Sequence, residues 1–162
     1  MPLKHQIVAI VIVGLFNFLS TAQTSIRANT IFLEGKTGNG TVGVGFASIN
    51  YDKRITQRKK ASLRIGFSKD FDYSVFGIPT SIQWLSHPTK KHHFEGGLGV
   101  THRIEFYEGN TNYDPFSMVT LHYRYTGTKG VFLRTGLNYY GYSWAIFYPV
   151  NLHATFSLGY SF

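Results

Sequence analysis

The groups in this chain that could do chemistry are ionisable side chains set one at a time into apolar surroundings. Arg64 lies between Leu63 and Ile65, His122 between Leu121 and Tyr123, and Arg124 between Tyr123 and Tyr125, while Glu95 and Arg134 follow Phe94 and Leu133. In extended chain, successive side chains point to opposite faces, so each charge shares a face with small polar neighbours and opposes a hydrophobic one. A buried charge without a partner is costly. Arg64, Glu95, His122, Arg124 and Arg134 are therefore expected to satisfy one another as a single network, in preference to forming a proton or ion pathway. A second group, Glu34, Arg103 and His153, is expected to meet toward the opposite end of the same elements.

Other patterns carry less chemistry. There is no cysteine, which removes disulfides, thiolate nucleophiles, Cys-based metal sites and a lipid-anchoring cysteine. His92 and His93 are adjacent, and adjacent strand residues diverge too far to share an ion. Gly43-Val44-Gly45 and Gly96-Gly97-Leu98-Gly99 lack the lysine and the strand-to-helix setting of a phosphate loop, and read as close packing. No catalytic residue, metal or cofactor is expected on these grounds.

The elements that must position the charges are strands. At the end of the chain Leu152, Ala154, Phe156, Leu158, Tyr160 and Phe162 alternate with His153, Thr155, Ser157, Gly159 and Ser161, a period of two. The same alternation runs through 62–68, 119–125 and 131–140. Further strands are expected at 27–37, 41–52, 74–86 and 92–107, bounded by turn-rich stretches such as Gly38-Asn39-Gly40 and His87-Pro88-Thr89-Lys90. That makes eight. Pro79 cannot donate to a ladder and predicts a bulge or weak pairing within the 74–86 strand. Glu108–Asp114 and Tyr142–Val150 read as long connections, and Lys53–Lys60 as a basic, solvated turn.

Residues 1–22 read as a signal peptide: a basic start with Lys4 and His5, an apolar run from Ile7 to Leu19 too short to span a bilayer, and small residues before Gln23. Residues 23–162 then form one domain. The formal charge of +8 would fit a nucleic-acid partner, but an exported chain does not meet one. Its distribution is more telling. Lys53, Lys59, Lys60, Lys69, Lys90, Lys91 and Lys129 fall in turns or at strand ends, whereas the polar strand faces carry isolated arginines. Arginine suits a confined interior, because its planar, weakly hydrated guanidinium pairs bidentately with carboxylates. The polar faces are therefore expected to point inward and the apolar faces outward.

With this hairpin rhythm over 27–162 and the ending Leu158-Gly-Tyr160-Ser-Phe162, the chain resembles the small eight-stranded bacterial outer-membrane barrels. That class includes the OmpA transmembrane domain, OmpX and OmpW, and the small barrels of Bacteroidetes-type bacteria. The resemblance implies an all-β fold, a closed antiparallel transmembrane barrel of about eight strands in up-and-down order, located in the bacterial outer membrane. It implies outer-membrane lipids as partners, and the assembly machinery as a partner recognising Tyr160 and Phe162. A lumen of this size is filled by side chains, so an envelope structural or surface-binding role is expected before a porin-like, narrow channel for small solutes. The aromatic stretch Tyr142–Pro149 is the candidate surface-binding loop. A lipid acyl hydrolase or transferase is the enzymatic alternative, with Ser143 and His153 as its conceivable pair.

Overall fold

Strict alternation demands that each strand have a wet and a dry face, and a chain of eight such strands can hide one face completely only by closing. The computed structural model describes residues 27–37, 47–55, 60–69, 74–87, 89–107, 110–142 and 151–162. The strands are β1 (Asn29–Lys36), β2 (Ala47–Arg54), β3 (Ala61–Lys69), β4 (Val75–Leu85), β5 (His92–Tyr107), β6 (Asn110–Thr126), β7 (Val131–Tyr142) and β8 (Asn151–Ser161). Each pairs antiparallel with the next, and β1 pairs with β8, so the sheet is a closed eight-stranded barrel in meander order. The expected signal peptide, the Gly38-Asn39-Gly40 turn, the first part (41–46) of the expected 41–52 strand and the Ser143–Val150 stretch lie outside the described residues.

The closure is staggered. Followed strand to strand along paired residues, Thr30 leads through Asp52, Arg64, Ser81, Gly99, Met118 and Tyr140 to Asn151, yet the partner of Thr30 on β8 is Ser161. The offset from 151 to 161 is ten residues, the shear that tilts the strands and sets the barrel's width. We call the end that carries Asn29, Arg54, Leu85, His92 and Ser161 the base, and the other the top.

Inward and outward faces follow the expected parity. Leu33, Leu63, Ile65, Phe94, Leu98, Leu121, Phe156 and Leu158 all lie outward with half or more of their surface exposed. Arg64, Glu95, His122, Arg124 and Arg134 lie inward and are buried. His92 is exposed and His93 buried, as adjacent strand residues must be.

Two sequence expectations are corrected, and at Pro79 the weaker pairing is the alternative found. Asn110–Asp114, read as part of a connection, belongs to β6 and pairs with Arg103–Tyr107; its polar residues carry no alternation, and side-chain contacts to β5 from Tyr113 and Asp114 add to its backbone pairing. Lys53 and Arg54, read as turn, end β2 opposite Leu63 and Ser62. At Pro79 the ladder with β3 breaks off between Ile65–Thr80 and Ser68–Gly77, but the register is the same on both sides, so the break is a gap and not a bulge. Opposite it, Gly66 leaves the room that the Pro79 ring and the Asn50 side chain occupy.

Candidate functional site in the barrel lumen

A lumen of eight strands is filled by side chains, so an inward-facing charge is expected to find its partner on another strand. Glu34 on β1 accepts from Arg64 Nη2 on β3 at 2.7 Å and, through its other oxygen, from Arg134 Nη2 on β7. Arg134 Nη1 donates to Glu95 Oε1 on β5 at 2.8 Å, and Arg124 Nη1 on β6 donates to Glu95 Oε2 at 2.9 Å. The same Arg124 nitrogen reaches Asp52 Oδ2 on β2 at 2.6 Å. The result is an unbranched ladder, Arg64–Glu34–Arg134–Glu95–Arg124–Asp52, in which cations and carboxylates alternate and balance three to three.

Polar neighbours add to it. Arg64 Nε donates to Asn50 Oδ1 at 3.0 Å, Arg124 Nη2 to Thr30 Oγ1 at 3.0 Å, and Arg134 Nε to Ser157 Oγ at 3.4 Å. Arg124 and Arg134 face each other directly across the β6–β7 ladder, a like-charge pairing that is unfavourable by itself. Glu95 removes the conflict by giving one oxygen to each.

The guanidinium planes rest on aromatic rings. Arg64 and Arg134 lie over Phe32 at 5.3 and 4.5 Å, and Arg124 over Phe132 at 4.7 Å, where the negative ring face attracts them. The two rings contact each other with centroids 5.0 Å apart. Their closeness depends on Gly159, which stands between Phe32 and Phe132 in the register. A Cβ at Gly159 would run into Phe32.

Above the ladder the lumen changes character. Thr120 Oγ1 donates to Gln83 Oε1 at 2.9 Å, and Gln83 Nε2 to Ser81 Oγ at 2.7 Å. Toward the top, Val75, Phe116, Met118 and Tyr140 are buried and form an apolar layer. His122 bonds Thr155 Oγ1 through Nε2 at 3.2 Å, while its Nδ1 stays 3.9 Å from Glu95 Oε1. This nucleophile, base and carboxylate order is buried, and both Glu95 oxygens are held by arginines, so a substrate has no approach.

Glu34 joins the ladder, away from the other two members of its expected group. Arg103 pairs with Glu105 at 3.1 Å and Asp114 at 3.5 Å near the top. His153 Nδ1 bonds the Thr37 carbonyl at 2.5 Å and meets the edge of Tyr140. Both are half-buried. Ser143, the conceivable partner of His153, lies outside the described residues. Sequence reasoning missed Asp52, Phe32 and Phe132. Asp52 shares the parity of Ser48 and Asn50 and was legible as an inward carboxylate; the two phenylalanines have the inward parity of polar residues and gave no such signal.

No family model and no curated protein matches the chain. Among solved structures it is similar to the N-terminal β-barrel domain of Pseudomonas aeruginosa OprF, with a TM-score of 0.60 at 12% identity over 84% of this chain and 98% of that one. This is the fold of the small eight-stranded outer-membrane barrels. The Yersinia pestis outer membrane protein Ail shares it with a TM-score of 0.51 at 9% identity, covering 84% of this chain and 99% of that one. At such identities the likeness extends to the backbone of an outer-membrane barrel and to no individual lumen residue.

Proposed function

We propose that the chain is an integral outer-membrane β-barrel, closed by its own side chains, that serves the envelope as a structural or surface-binding element and not as a pore. The observation that carries this reading is the inversion of the usual protein plan: a balanced charged ladder within a closed barrel whose outer face is hydrophobic. Such a face is stable against acyl chains, and a closed barrel leaves no backbone group unpaired in lipid. Tyr51, Trp84, Tyr123 and Tyr160 near the base suit one membrane interface, and Phe76, Phe106 and Tyr113 near the top the other.

In this reading the base faces the periplasm, residues 1–22 are the export signal, and Tyr160 and Phe162 serve assembly of the last strand. Two layers, the ionic ladder and the apolar cap of Val75, Phe116, Met118 and Tyr140, block conduction in series. The test joins location and conductance. The protein is expected in the outer-membrane fraction, with a heat-dependent shift in gel mobility, and vesicles containing it are expected to stay tight to small ions. Recovery in soluble form without detergent would overturn the membrane reading; large, stable currents would overturn the closed lumen.

A further inference from the structure

On the outer wall near the base, a groove of about 780 Å³ follows β1. Its origin is a step in side-chain size: Ile31 is paired with Tyr51 on one side and Tyr160 on the other, so a short side chain runs between two rings. Leu33 continues the floor upward, between Ile49 and Leu158. Tyr51 Oη donates to Asn29 Oδ1 at 2.7 Å, which holds that ring toward the base. Arg27 lies over Tyr160 at 5.8 Å and donates to the Ser161 carbonyl at 3.1 Å.

Lys53 and Arg27 thus stand on the two sides of the groove's mouth. Lys53 is exposed and has no ion-pair partner among the described residues. It also borders, with Tyr51, a second apolar groove of about 580 Å³ that floors on Thr80 and Gly99. One cation therefore stands at the head of two apolar channels, the place where a diacyl lipid joins its phosphate to its chains.

The charged side chains around this mouth have one sign. Lys60, Lys90, Lys91 and Lys129 lie at the same end, while the described carboxylates outside the ladder, Glu105 and Asp114, lie at the top. We propose that an anionic glycerophospholipid of the leaflet at the barrel base binds here, its phosphate on Lys53 and an acyl chain along β1 between Tyr51 and Tyr160. The proposal rests on the membrane reading above.

The test uses the barrel reconstituted in phosphatidylcholine vesicles with trace spin-labelled phosphatidylglycerol or, separately, spin-labelled phosphatidylcholine, and reads the motionally restricted fraction of each. Phosphatidylglycerol is expected to be preferred about fivefold, the factor one near-surface cation supplies, and the preference is expected to shrink as salt screens it. Lys53→Gln should remove it. Ile31→Trp, which fills the groove, should lower the restricted fraction of both lipids, and Lys90→Gln with Lys91→Gln should leave the preference in place. Equal restriction of the two lipids in an inserted barrel would overturn this site alone, as would a preference that follows Lys90 and Lys91 instead of Lys53. A protein that fails to float with the vesicles would overturn the membrane reading and this site with it.

Discussion

Glu95 is the residue on which the lumen depends most, because it separates two arginines that the sheet sets face to face. Breaking a buried ion pair from one side leaves the other charge unsolvated and costs about 3–5 kcal/mol. Arg134→Leu takes one of two arginines from each of Glu34 and Glu95 and leaves three carboxylates to two cations in the ladder, and its loss is expected within that range, measured by urea unfolding from lipid vesicles. Asp52→Asn is expected to cost clearly less, since Arg124 keeps Glu95 and Thr30. An equal loss for the two variants would mean that the ladder does not act as drawn. Gly159 is the second such residue. Gly159→Ala drives a Cβ onto the Ile31 carbonyl oxygen and the Phe32 Cα and Cβ, and overpacking of this kind costs about 1–3 kcal/mol; Phe32→Leu in the same chain keeps all three atoms and is expected to recover none of it.

At the scale of elements, β5 and β6 are the longest strands, 16 and 17 residues, and they outreach their neighbours. Among the described residues Asn110–Pro115 pairs only with β5, whereas β6 is flanked by β7 from Phe116 onward. That stretch is an edge strand on β5, which β4 flanks on its other side as far as Glu105, and its amides facing away from β5 have no ladder partner. Amide hydrogen exchange is therefore expected to be orders of magnitude faster at Thr111–Asp114 than at Val119–Tyr125, and equal protection would show that the arm is held by more than β5. The hairpins themselves were legible from period-two alternation, above all in β3, β6, β7 and β8. The strand ends were not, where Asn110–Asp114 and Lys53–Arg54 carry polar side chains that read as turn while their backbone continues the ladder.

For the whole molecule the two lumen layers act as resistances in series, which makes their removal non-additive. Glu95→Ala with Arg124→Ala is expected to leave vesicles tight to small ions as long as the cap remains, and Phe116→Ala with Met118→Ala is expected to do the same while the ladder remains. Only the combined variant is expected to leak, read as dye or ion release from vesicles in which a heat-shifted band confirms the fold. Leakage from either pair alone would reduce the barrier to a single layer.

The amino-acid sequence by itself determined the number of strands, the inward parity of Arg64, Glu95, His122, Arg124 and Arg134, and the outward parity of Leu63, Ile65, Leu121, Tyr123, Leu158 and Tyr160, because these follow from a backbone period of two that needs no partner to be read. Only the tertiary structure decided who pairs with whom. Asp52 lies beside Arg64 in the sheet yet reaches Arg124 across the lumen, and Glu34 leaves Arg103 and His153 for Arg64 and Arg134. The physical reason is closure: a stagger of ten residues between β8 and β1 sets the height at which each side chain meets the opposite wall. That offset is a property of the whole ring and is written in no single strand.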